Sequence, residues 1–149
     1  MTSAVFLDSN VIVYASDHDD PTRNEIATNL IHGLDRDRTF VSQQVLSEYA
    51  NVMCHPAKLG RPASEAIRGV RRIAADWTVL PVSTEVVVSA LEAMDHWGLH
   101  YYDAQIWATA ALNRVPIVLS EDFEHGLELG PVRFLDPFSE EFDVAELGA

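Results

Sequence analysis

The stretch Val5-Phe6-Leu7-Asp8-Ser9-Asn10-Val11 decides the fold class. Three consecutive apolar residues suit a short strand covered on both faces, as in a parallel sheet. Asp, Ser and Asn follow at once, and these side chains accept hydrogen bonds from the free N–H groups of a starting helix. A buried strand running directly into a helix predicts α/β architecture. Residues Val11 to Ala15 form the short apolar helix that this start predicts.

The same alternation recurs outward from there. His18 to Pro21 is a polar break, and Pro21 suits the first turn of the next helix. The apolar face of that helix holds Ile26, Ala27, Leu30, Ile31 and Leu34. Thr39 to Ser42 reads as a second strand, followed by an amphipathic helix from Gln43 to Cys54. Val45, Leu46, Tyr49, Val52 and Met53 carry its apolar face at helical spacing. Pro56 and Gly60 break the chain before a basic helix from Arg61 to Ala75. Trp77 to Leu80 reads as a strand and Thr84 to Trp97 as a helix capped by Thr84. Asp103 opens a helix to about Asn113, Pro116 to Ser120 is a strand, and Val132 to Leu135 is the last one. Strands alternating with helices predict a three-layer α/β/α fold around a mainly parallel sheet. A chain of 149 residues suits one domain, residues 1–149.

Composition narrows the function. The formal net charge is −13, which excludes a simple electrostatic nucleic-acid binder with a basic face. It leaves room for an enzyme whose acids hold metal ions, because a bound divalent cation inverts the local electrostatics. Cys54 is the single cysteine, so neither an intrachain disulfide nor a cysteine zinc cluster can form. This usage fits the cytoplasm. The first residues lack the basic start of a secretion signal, and no apolar run approaches the roughly 20 residues that span a bilayer.

Four acids fall at telling places. Asp8 follows the first strand, Asp122 lies just past a later one, Asp103 starts a helix, and Glu48 lies within one. Ligands of open α/β sheets bind beyond the carboxyl ends of the strands, where strand order reverses. Asp8 and Asp122 share one crevice if their strands are neighbours, with Glu48 and Asp103 reaching it from flanking helices. Gathered carboxylates repel one another unless protons or cations compensate. Hard oxygen donors favour Mg²⁺ or Mn²⁺, and such ions support phosphodiester hydrolysis by activated water. Taken singly, Asp8 and Asp103 read equally as helix caps, Asp122 as a turn residue and Glu48 as a solvated helix acid.

Phe6-Leu7-Asp8-Ser9-Asn10-Val11, Gln44-Val45-Leu46-Ser47-Glu48-Tyr49, Tyr101-Tyr102-Asp103-Ala104 and Leu119-Ser120-Glu121-Asp122-Phe123-Glu124-His125-Gly126 occur in this order. Together they resemble the ordered motifs of PIN-domain ribonucleases, and within them the VapC-type toxins of bacterial toxin–antitoxin pairs. Leu135-Asp136-Pro137-Phe138 resembles that group's ending. The likeness spans residues 4–138 and implies a PIN-like fold. It implies that Asp8, Glu48, Asp103 and Asp122 are the metal-binding catalytic acids, with Asn10 and Ser120 supporting them. It further implies an Mg²⁺- or Mn²⁺-dependent endoribonuclease that leaves 5′-phosphate and 3′-hydroxyl ends. The implied partners are an inhibitory protein antitoxin and a second copy of the chain in a homodimer. Glu121 stands beside Asp122, and strand-end geometry favours Asp122 as the acid pointing inward. A non-catalytic interaction module and a structure-specific DNA nuclease are the alternative readings.

Other features read as follows. Arg68 with Arg71 or Arg72 shares a helix face, either contacting RNA phosphates or pairing with nearby acids. His96 and His100 have a zinc-like spacing, but Gly98 between them weakens a common helix. His125 and the acidic run Asp17, Asp19 and Asp20 read as polar loop residues. Ile106, Trp97, Tyr101, Tyr102 and Trp107 read as core before any base-stacking or partner role. No Gly-x-x-x-x-Gly-Lys phosphate loop and no Gly-x-Ser-x-Gly elbow occurs.

Overall fold

The computed structural model describes residues 2–148. Six strands form one sheet in the order β3-β2-β1-β4-β6-β5. These are β1 (Val5–Leu7), β2 (Thr39–Ser42), β3 (Thr78–Leu80), β4 (Ile117–Leu119), β5 (Glu128–Leu129) and β6 (Val132–Leu135). All pairs are parallel except β5 with β6. The helices are α1 (Ser9–Ser16), α2 (Pro21–Gly33), α3 (Gln43–Cys54), α4 (Ala63–Asp76), α5 (Thr84–Trp97) and α6 (Tyr101–Leu112). Neighbouring helices α1 to α4 pack on one another, and α5 packs on α6, giving the expected α/β/α layers.

The central strands carry the core. Phe6, Leu7, Val41, Val118, Leu119, Phe134 and Leu135 are all fully buried. β1 and β4 read as continuous apolar runs because helices cover both of their faces. Phe123 stacks on Phe134 with ring centroids 4.0 Å apart, closing the core beyond β4.

Local chemistry moves several helix starts from where the sequence pattern put them. Asp8 caps α1, which begins at Ser9 rather than Val11. The basic helix begins at Ala63, because Pro62 disfavours helical backbone at Arg61. Arg61 instead pairs with Glu65 at 3.2 Å. Ser83, not Thr84, caps α5 by accepting from the Val86 N–H. α6 starts at Tyr101, so Asp103 sits within its first turn rather than at its cap. β5 was absent from the sequence pattern, since two residues cannot show a period of two. Gly130, with φ +56°, makes the tight turn between β5 and β6.

β1 is the switch point. The chain leaves it toward β2 and β3 on one side, while β4 and β6 lie on the other. Leu7 stands opposite Leu119. The loops after β1 and β4 therefore emerge side by side, as the sharing of a crevice requires.

Candidate active site

Asp8 is the first residue beyond β1 and is only 3% exposed. Its Oδ1 accepts from the Ser9 N–H at 2.7 Å. Its Oδ2 accepts from the Ser120 hydroxyl at 2.7 Å. Helix capping and site formation are thus done by one carboxylate, and the two readings of Asp8 coincide. Ser120, the first residue after β4, is fully buried. Its Oγ also accepts the Asp122 N–H at 3.1 Å. The Asn10 amide nitrogen donates to Ser120 Oγ at 3.3 Å and to Asp122 Oδ2 at 3.2 Å. Asn10 Oδ1 accepts the Glu121 N–H at 3.3 Å. Asn10 and Ser120 therefore tie the two strand-end loops together.

Glu48 and Asp103 approach from the helices. Both are half-buried, so Glu48 is not the solvated acid that a surface helix would carry. Glu48 Oε1 is buried without a hydrogen-bond partner among the described residues. Asp103 lies in the first turn of α6, where the helix dipole favours negative charge. A buried amide bridge holds these helices together. Gln105 Nε2 donates to Gln44 Oε1 at 2.8 Å, and Gln44 Nε2 donates to the Tyr102 carbonyl at 3.1 Å. The sequence reading passed over Gln44 and Gln105. Gln44 stands one turn before Glu48 on α3, which was the available signal.

The acids act on one another electrostatically. Burial raises Asp8 from 3.8 to about 6, against bonds from Ser120 and Ser9, and repulsion from Asp122 and Asp103 adds to the rise. Burial raises Glu48 from 4.5 to about 7, followed by repulsion from Asp8 and, more weakly, from Asp122 and Asp103, against a hydrogen bond from Gln44. Asp103 is raised by burial and by Asp122, while His100 opposes the shift. Every pair among the four thus interacts across the crevice. Among the described residues, no three His, Cys, Asp or Glu side chains already stand close enough to hold a metal ion jointly.

Glu121 turns elsewhere. Its Oε1 accepts from the Tyr14 hydroxyl at 2.9 Å, and its Oε2 lies 3.6 Å from Arg23 Nε. Arg23 also sits over the rings of Tyr14 and Phe138. Burial and the bond to Glu121 push the Tyr14 hydroxyl up to about 12, so it remains a donor at neutral pH. Asp122, in contact with Asn10, is the acid that faces the crevice.

The remaining candidates are placed as follows. Gly98, with φ +68°, ends α5, so His96 and His100 do not share a helix. His125 Nδ1 accepts the Asp136 N–H, and its Nε2 lies 3.5 Å from Glu146, as suits a loop residue. Asp20 caps α2 and pairs with Arg23. Ile106 is core, and Trp107 donates its indole N–H to the Leu129 carbonyl. Tyr102 corrects the core expectation: it is 66% exposed, because the second position of α6 points off the helix pair. Arg68 and Arg72 line a cleft with Tyr49 and Glu65, and neither enters an ion pair among the described residues.

Four mutually repelling acids thus belong to the loops and helices around the switch point of this α/β sheet. A family model described as PIN domain matches residues 5–126, and the chain belongs to that family. No curated protein matches the sequence. Among solved structures, a toxin–antitoxin complex from Klebsiella pneumoniae is similar at TM-score 0.67 and 15% identity, over 91% of this chain and 98% of that one. VapC20 of Mycobacterium tuberculosis, a sarcin–ricin loop cleaving toxin, is similar at TM-score 0.63 and 18% identity, over 76% of this chain and 86% of that one. FitAcB from Neisseria gonorrhoeae is similar at TM-score 0.63 and 16% identity, over 90% of this chain and 98% of that one. At these identities the likeness is one of fold.

Proposed function

We propose that this PIN domain is a metal-dependent endoribonuclease, the toxin of a toxin–antitoxin pair. What supports the reading is the mutual repulsion of the Asp8, Glu48, Asp103 and Asp122 carboxylates, which come from four separate elements. Their chemistry fits a divalent cation. All donors are hard oxygens, and Glu48 Oε1 is a buried acceptor with no protein partner. These four carboxylates would hold Mg²⁺ or Mn²⁺. Such an ion, when bound, activates water and neutralises charge on phosphoryl oxygens during in-line displacement. The chain's own residues prepare the site. Ser120 and Ser9 hold the Asp8 carboxylate in one orientation. Asn10 fixes Asp122 against the loop after β1. The Gln44–Gln105 bridge sets α3 against α6, and so Glu48 against Asp103. No side-chain nucleophile is required, and no covalent intermediate is expected.

The structural neighbours support the toxin reading, since one was solved as a toxin–antitoxin complex and another is a sarcin–ricin loop cleaving toxin. We expect an antitoxin to bring positive charge to this acidic chain. We also expect a homodimer, to which the exposed Val88 and Leu91 of α5 lend an apolar face. No helix among the described residues is long and apolar enough to cross a membrane. A cytoplasmic, single-domain enzyme is the setting we propose.

Mapping RNA ends generated by purified protein tests the reading. Wild type with Mn²⁺ should give new 5′-phosphate ends. Asp103→Asn should fold normally and lose at least about a hundredfold in rate, in line with the loss of a group that stabilises charge in the transition state. Equal cleavage by both proteins would reject the assignment.

A further inference from the structure

We propose that the cleft between α3 and α6 receives one unpaired nucleobase of an RNA strand whose neighbouring phosphate lies at the acid cluster. This rests on the nuclease reading and adds a substrate subsite to it. The cleft measures about 460 Å³, and its walls include Gln44, Ser47, Glu48, Val82, Tyr102 and Gln105. Glu48 belongs to both the cleft and the acid crevice, so an occupant of the one adjoins the other. Tyr102 immediately precedes Asp103 and presents an aromatic ring that is 66% exposed.

The wall is ordered and its chemistry is selective. The Tyr101 hydroxyl donates to Gln105 Oε1 at 2.8 Å, and Gln105 passes a bond to Gln44, which donates to the Tyr102 carbonyl. Gln44 and Gln105 are 8% and 6% exposed, so their amide planes are held in place. Each amide nitrogen has two hydrogens and uses one in this chain. Gln44 turns its other N–H toward Glu48, so the second N–H of Gln105, with the Ser47 hydroxyl, offers the donors suited to a carbonyl oxygen or ring nitrogen on a base edge. No lysine or arginine lines the cleft, so a phosphate is a poor occupant. A flat neutral ring that stacks on Tyr102 and meets fixed amides fits it. Stacking on such a residue contributes about 1–3 kcal/mol per base.

The test uses short single-stranded RNAs spanning a mapped cleavage position, each carrying one abasic sugar. For wild type, one abasic position next to the cut should raise KM about tenfold, the fold-change that stacking predicts. Tyr102→Ala should raise KM on intact RNA by a similar factor and add nothing on that abasic RNA. Tyr102→Phe should behave as wild type. Independent, multiplying effects of the abasic site and Tyr102→Ala would overturn the proposal, as would an unchanged KM. If wild type cleaves no RNA, the nuclease reading falls first. A titration with 2-aminopurine-labelled RNA then judges the cleft by itself: quenching that disappears in Tyr102→Ala supports it, and equal or absent quenching overturns it. Loss of binding to a co-purifying protein partner, with RNA handling unchanged, would give the cleft to that partner and also overturn the proposal.

Discussion

Asp8 joins two demands in one side chain. One oxygen caps α1 and the other is held by Ser120, yet the group is almost fully removed from water. Its elevation to about 6 means that the folded state holds this proton more tightly than the unfolded chain does. The stability it contributes is complete below about pH 4, declines as pH rises toward 6, and is absent above that. The shift corresponds to a penalty on the order of 3 kcal/mol at neutral pH for the ionised form. Glu48, raised to about 7, acts in the same direction over a slightly higher window. Asp8→Asn should therefore raise the Tm of metal-free protein by several degrees at pH 8 and by little at pH 4.5. Mn²⁺ should stabilise wild type at pH 8 but not the variant. Thermal unfolding with and without the ion reads both effects. A variant that is no more stable than wild type at pH 8 would contradict the electrostatic account.

α3 and α4 owe their close approach to a glycine. Gly69 lies within α4, where glycine is ordinarily destabilising relative to alanine by about 1 kcal/mol. A Cβ there would overlap the Tyr49 hydroxyl and stand 3.0 Å from Tyr49 Cζ. Tyr49 is 3% exposed and has little room to retreat. Gly69→Ala should consequently lower the Tm by a few degrees instead of raising it, measured by calorimetry. An increase would show that Tyr49 moves freely. Element types were legible where apolar runs or capping residues were long enough, as in β1, β2, β4 and α3. Starts were less legible. Ser83 and Thr84 are both good caps, and only the folded backbone and the bond from the Val86 N–H to Ser83 separate them. β5 exists because β6 offers it an edge, which is a tertiary cause that two residues cannot encode alone.

For the molecule as a whole, a net charge of −13 must be reconciled with the polyanionic substrate proposed for it. Divalent cations held at the acids would neutralise part of it. Arg68 and Arg72 supply a second device, because neither is occupied by an acid among the described residues. We propose that they meet RNA phosphates along α4. Replacing both with Glu should weaken RNA binding and reduce the slope of log K against log salt by at least about 1.4, since each lost contact to single-stranded RNA removes about 0.7. Anisotropy titrations across a salt series measure this. An unchanged slope would return α4 to the role of a solvated face.

The residues alone determined the alternation of strands and helices, because burial on two faces and capping chemistry leave local marks. They also singled out Asp8, Glu48, Asp103 and Asp122. Only the folded chain decided that β1 and β4 are neighbours, and hence that Asp8 and Asp122 meet through Asn10 and Ser120. Strand-end geometry already favours Asp122 over Glu121 along the chain, and the fold supplies the partners that hold Glu121 away, Tyr14 from α1 and Arg23 from α2. A direction that local geometry suggests is fixed only once other elements arrive to hold it.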